Sequence, residues 1–176
     1  MRHFASASLV IVLSSLFAPL LSQNRTTGFS INPKAGIYTA KDEAGAVMGI
    51  ETGYLRNGWI FSVDFYQFGE IEYLSSDEDM FRQMGLMAGK YYGDRLVRVQ
   101  LQGGIAPIWQ IGPRGDSEPD KFTTVGLTLK TGFKLVPLPF FSIGIDLQGN
   151  INSRKTLFMP LISLEFGKLR DKINKP

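Results

Sequence analysis

The sequence predicts an all-β chain: an eight-stranded antiparallel up-and-down membrane β-barrel behind a cleaved N-terminal signal peptide. Three observations carry that prediction. Behind a short basic start the chain carries an apolar stretch without charge. It then runs through segments of about ten residues that alternate apolar and polar, the length of a tilted membrane-spanning strand. The connections between those segments are short and long by turns.

Met1, Arg2 and His3 form a short basic start, and residues 4–21 are rich in Leu, Val, Ile, Ala and Ser. The run closes on Leu20, Leu21, Ser22 and Gln23, with Ser22 placed as the small residue of a cleavage site. Ser14, Ser15 and Pro19 interrupt it, and it barely reaches the roughly 20 residues of a spanning helix. Residues 1–22 therefore read as a signal peptide and 23–176 as one barrel domain. Beyond Gln23 no apolar stretch has the length of a spanning helix, so this part can enter a membrane only as a closed barrel.

The expected strands are 33–39, 46–55, 59–68, 81–92, 95–110, 122–136, 140–149 and 157–169. The second ends at Arg56-Asn57-Gly58, the fourth at Gly93-Asp94 and the sixth at Pro137-Leu138-Pro139, all tight. Asn57-Gly58 suits a type I′ hairpin, whose two central residues both need positive φ. The connections over 40–45, 69–80, 111–121 and 150–156 are longer and polar. Proline cannot donate to a ladder, so Pro33 is expected at the short-turn rim and Pro107 and Pro160 near the loop rim.

Within the strands one face is oily and the other polar. Trp59, Phe61, Val63 and Phe65 oppose Ser62 and Asp64; Val97, Val99 and Leu101 oppose Arg98, Gln100 and Gln102; Phe141, Ile143, Ile145 and Leu147 oppose Ser142, Asp146 and Gln148. The period alone also fits a soluble barrel with apolar residues in its lumen. Size points the other way: the polar face carries Gly49, Gly53, Gly104, Gly126, Gly132 and Gly144, as a crowded eight-strand interior requires. Tyr54 and Trp59 at one rim and Trp109 at the other fit interfacial aromatic girdles. The fourth strand has no cleanly apolar face, and a bulge or a different boundary is expected there.

The polar face places Glu51, Asp64, Asp146 and Glu165 with Lys34, Arg98, Lys130 and Lys134. Unpaired buried charges are costly, so a salt-bridged lumen is expected. Composition narrows the chemistry. Of 176 residues, 44% are hydrophobic and 20% charged, which suits one domain with a core. The net charge of +3 is small and its basic residues are scattered, with no footprint for nucleic acid. The absence of cysteine removes disulfides, thiolate metal sites and thiol nucleophiles. The single histidine, His3, lies in the expected leader, so the processed chain has no imidazole for general acid or base work. No enzyme activity, cofactor or metal is expected. The acidic stretches 77–79 and 116–120 lack the spacing of a calcium loop and read as solvated loops. Asn24-Arg25-Thr26 matches a glycosylation sequon that means little in a bacterial setting.

In its leader, eight alternating segments, short turns and charged lumen, the chain resembles the small bacterial outer-membrane barrels, of which the transmembrane domain of outer membrane protein A is the best-known example. The resemblance implies residence in a Gram-negative outer membrane, tight turns in the periplasm and longer loops outside. Its partners would be outer-membrane lipid, lipopolysaccharide, the barrel-insertion machinery and an unidentified surface partner, and its role structural or surface-interacting, with weak passage of small solutes. Such barrels end on an aromatic residue read by the insertion machinery; Phe166 holds that position here, although a charged tail, 168–176, follows. The alternative from the residues is a soluble secreted or periplasmic barrel that binds an apolar ligand.

Overall fold

The structure, a computed structural model, describes residues 27–41, 43–69, 80–93, 96–111 and 123–169. The expected signal peptide, the sequon and both acidic stretches lie outside the described residues. Eight strands follow one another: β1 (Thr27–Thr39), β2 (Ala44–Arg56), β3 (Trp59–Gly69), β4 (Met80–Gly93), β5 (Val97–Ile111), β6 (Thr123–Leu138), β7 (Phe141–Ile151) and β8 (Leu157–Gly167). Each pairs antiparallel with the next, and β8 returns to β1 to close the barrel. Closure leaves no strand edge exposed, which is the condition for a sheet to sit in lipid.

The register fixes the shape. A path of paired residues from Phe29 runs through Tyr54, Phe61, Ala88, Gly103, Leu129, Gly149 and Phe158 and re-enters β1 at Thr39. One circuit therefore climbs ten residues along β1. Ten rises of about 3.3 Å against eight interstrand steps of about 4.8 Å tilt the strands by roughly 40° and set opposite backbones about 16 Å apart. Side chains nearly fill an interior of that width.

Seven strands lie within two residues of their expected bounds, but β1 begins six residues earlier than expected. Pro33 does not end the strand at a rim; it pairs with Ile50 in mid-strand. The missing N–H is absorbed on the other side, where the β1–β8 ladder skips from Ile31↔Phe166 to Lys34↔Ser163. Pro160 sits in a second gap of the same seam, between Gly36↔Leu161 and Thr39↔Phe158. Pro107 likewise falls where the β4–β5 ladder skips from Gln83↔Ile108 to Leu86↔Ile105. These two prolines do lie toward the loop ends of their strands.

The bulge expected in β4 is absent: its pairing with β3 runs unbroken from Trp59↔Lys90 to Phe68↔Phe81. The ambiguous face resolves because Met84, Leu86 and Ala88 point outward and Gln83, Gly85 and Met87 inward, with the outward cations Arg82 and Lys90 near the strand's two ends. The register shift lies instead between Leu135 and Leu138, beside the proline-flanked turn into β7. Asn57 (φ 51°) and Gly58 (φ 82°) both take positive φ, the geometry of the type I′ turn.

The faces segregate as their chemistry demands. Phe61, Val63, Leu101, Leu127, Leu129, Phe133, Ile143, Ile145 and Ile162 stand outward and exposed, Leu127 at 69%. Asn32, Ser62, Gln100, Gln102, Thr128, Ser142, Gln148 and the eight charged residues expected on the polar face are buried within. A soluble barrel with its apolar residues in the lumen would have the reverse arrangement, so that alternative loses the geometry on which it rests.

Candidate functional site

Residue parity carries the charges inward. Lys34, Glu51, Asp64, Arg98, Lys130, Lys134, Asp146 and Glu165 each fall on the inward face of their strand. Among the described residues they are all the buried charged side chains, four cationic and four acidic. A low-dielectric interior tolerates such groups only when they are paired and hydrogen-bonded.

The pairing forms a chain across the barrel. Glu51 on β2 takes Lys34 of β1 at 2.8 Å and also Lys130 of β6. Lys34 continues to Asp146 of β7 at 2.7 Å, and Asp146 takes Lys134 of β6 at 2.9 Å. Lys134 further donates to Ser163 Oγ on β8. The series Lys130, Glu51, Lys34, Asp146, Lys134 alternates in sign and links five strands once Ser163 is included. Arg98 of β5 pairs with Glu165 of β8, whose carboxylate also accepts from Ser142 Oγ at 3.0 Å. The Arg98 guanidinium lies 5.8 Å from the centre of the Tyr91 ring.

Asp64 is held differently. Its Oδ2 accepts from Gln148 Nε2 at 3.3 Å, and among the described residues no cation pairs with it and its Oδ1 has no hydrogen-bond partner. Glycine makes room for it: a Cβ at Gly85 would run into the Asp64 carboxylate, as one at Gly132 would run into Asp146. Amides line the rest of the band. Ser62 Oγ donates to Gln102 at 2.7 Å, Gln100 Nε2 to Asp146 Oδ1 at 3.3 Å and Tyr66 Oη to Gln148 Oε1 at 3.3 Å.

A layer that sequence reasoning missed lies on the loop side of this band. Tyr38, Val47, Tyr66, Phe68, Phe81, Ile108, Leu157, Met159 and Leu161 form a buried apolar cluster on the inward face, with the Phe68 and Phe81 rings stacked at 5.5 Å. A smaller cluster of Leu55, Ile60 and Tyr91 packs nearer the short-turn end. The signal was present in the alternation, since these residues share the parity of the charges, but a reading of one uniformly polar face hides it. Leu169 is buried at the short-turn end, its N–H bonded to the carbonyl of Pro139 at 2.9 Å.

The outward aromatics cluster near the ends. Tyr54 lies 4.8 Å from Phe29 between ring centres, and Trp59 stacks on Phe61 at 6.3 Å beneath the Lys90 ammonium. Trp109 meets Phe65 at 6.3 Å toward the loop end. Phe166, on the outer face of β8, packs against Phe141 at 5.3 Å.

A closed eight-strand barrel, apolar outside and ionic within, defines the class of small outer-membrane-type β-barrels. Among solved structures the chain is similar to the N-terminal β-barrel domain of Pseudomonas aeruginosa OprF, with TM-score 0.64 and 15% identity, covering 81% of this chain and 99% of that one. Neisserial surface protein A is similar at TM-score 0.63 and 15% identity, covering 80% and 96%. The attachment invasion locus protein Ail of Yersinia pestis follows at 0.57 and 16%, covering 80% and 98%. These likenesses concern the fold. No family model matches the sequence, and no curated protein matches it.

Proposed function

We propose that the chain is an exported, non-enzymatic β-barrel of a Gram-negative outer membrane, with a structural or surface-interaction role and a salt-bridged lumen. The observation that carries this reading is the segregation of faces: a continuous apolar exterior around a charge-balanced interior. In water that exterior would be a large aggregation-prone surface; in lipid it is the surface that stabilises the protein. Lipid and lipopolysaccharide are then its immediate surroundings, the longer connections face the cell exterior, and the outward Phe166 is the residue offered to the insertion machinery. The apolar layer on the loop side of the charges favours a structural lumen over passage of small solutes. The absence of histidine from 4–176 favours a non-enzymatic role.

The test is fractionation of the native host or of an expression strain, followed by gel mobility with and without boiling. A closed membrane barrel sediments with the outer membrane and changes mobility when boiled. A soluble periplasmic protein without that shift overturns the reading.

A further inference from the structure

Gly103 stands on the outward face of β5. Beyond its chain neighbours, a Cβ there would meet only the Thr128 carbonyl, at 3.8 Å. The fold does not itself demand glycine at 103. Gly89 and Gly104, at inward positions of the same ladder, are different: the backbone of the facing strand occupies the place of a Cβ. The partner of Gly103 on β4 is Ala88, also outward and exposed. Together they leave a notch one side chain deep in a wall of large residues. Phe61 stands beside Ala88 and Leu129 beside Gly103, while Leu86 and Ile105 close the notch on the loop side.

Toward the short-turn rim the notch opens onto charge. Lys90 follows Ala88 by two residues on the same face and holds its ammonium 5.0 Å from the centre of the Trp59 ring. Arg56 is the register partner of Trp59 on the other side, so Arg56, Trp59 and Lys90 form a row across β2, β3 and β4. Trp59 also stacks on Phe61, the flank of the notch. The strand carboxylates Glu51, Asp64, Asp146 and Glu165 all point into the lumen, so no strand of the wall offers this row an outward anion. An apolar notch that runs into a cationic and aromatic rim matches an amphiphile with an acidic head. A second copy of the chain fits worse, because a two-fold axis along the membrane normal would set Lys90 of each copy at the same depth in the contact. We propose that the notch and the row form one site for an anionic glycerophospholipid of the leaflet on the short-turn side. One acyl chain fills the notch between Phe61 and Leu129, and Lys90 and Arg56 supply charge-assisted donors to the phosphodiester. The site rests on the membrane reading above and adds a place, a leaflet and a headgroup charge to it.

The experiment reads fluorescence quenching of Trp59 by bromine. W109F removes the second of the two tryptophans and serves as the parent. The folded full-length barrel is placed in phosphatidylcholine vesicles with a small fraction of chain-brominated phosphatidylglycerol, or of brominated phosphatidylcholine for comparison. The expected result is phosphatidylglycerol enriched at Trp59 by about fivefold or more, the scale of a single interfacial cation. The enrichment should fall to within about twofold of unity in R56A/K90A. It should also fall in G103L, which fills the notch and leaves the charges in place. R82A, which removes an outward cation near the loop rim, should behave as the parent does. Retention of the heat-dependent gel shift checks that each variant folds. Equal quenching by the two brominated lipids, or enrichment that R56A/K90A leaves intact, overturns the site. Enrichment that survives in G103L overturns the notch as the seat of a chain. Enrichment abolished by soluble glycerol 3-phosphate shows a free-anion site, and enrichment that fades as the protein-to-lipid ratio rises shows a second copy in the notch; either overturns the lipid. A parent without the gel shift overturns the membrane reading itself, whereas a folded parent without enrichment overturns the site alone.

Discussion

Glu51 stands between the ammonium groups of Lys34 and Lys130, and Lys34 is in turn shared with Asp146. Removing one carboxylate leaves two buried cations undercompensated, so Glu51→Gln is expected to cost about 3–5 kcal/mol, read as a lowered midpoint in urea unfolding from lipid vesicles. Replacing Lys34, Glu51 and Lys130 together by similarly sized apolar residues should cost much less than that single change, because the desolvation penalty leaves with the charges. Which residues point inward was legible from parity alone, since a strand's side chains alternate strictly. Which of them meet was not. Lys130 reaches Glu51 across 79 positions of sequence, and that meeting depends on the ten-residue climb of the register, which no local pattern encodes. The apolar inward residues Tyr38, Phe68 and Met159 are hidden for a related reason: a buried apolar side chain on the polar face breaks the alternation and gains meaning only when neighbours from other strands join it.

Among the strands, the β1–β8 seam differs from the rest because Pro33 and Pro160 both fall in gaps of its ladder. The β2–β3 ladder, by contrast, is unbroken from Ala46↔Gly69 to Arg56↔Trp59. Amide hydrogen exchange is therefore expected to be faster along β1 and β8 where they face each other than along β2 and β3; equal protection would count against the seam as the weakest line of the barrel. The outward face makes a separate prediction. Ile145 is 57% exposed on the wall, and Ile145→Lys should lower stability in bilayers by about 2–4 kcal/mol if it lies near the midplane, measured by reversible unfolding from vesicles. A substitution at the solvent face of a soluble barrel would leave stability nearly unchanged. Strand positions were readable because turn chemistry and period agreed, as at Asn57-Gly58. The start of β1 is not legible in the sequence because Pro33 signals a terminus, whereas a strand with two neighbours tolerates proline where one ladder is interrupted.

Taken whole, the barrel is stacked in tiers, with an apolar layer toward the loops, an ionic band beneath it and a small apolar cluster toward the tight turns. Planar-bilayer recordings of the folded protein are accordingly expected to show no steady conductance; a persistent open level would mean that the apolar tier yields. The two ends of the described chain meet beneath these tiers: Lys168 N–H bonds to the carbonyl of Phe29 at 3.0 Å, and Leu169 is anchored to Pro139. Chain order is thus a convenience of the gene rather than a demand of the wall. A circular permutant that joins these ends and opens within 152–156 would start at β8 and finish at β7. Its last seam to close would be β7–β8, whose ten consecutive pairs run from Phe141↔Phe166 to Asn150↔Leu157 without a gap, so the rearranged chain would meet itself along an intact ladder where the natural order meets along a broken one.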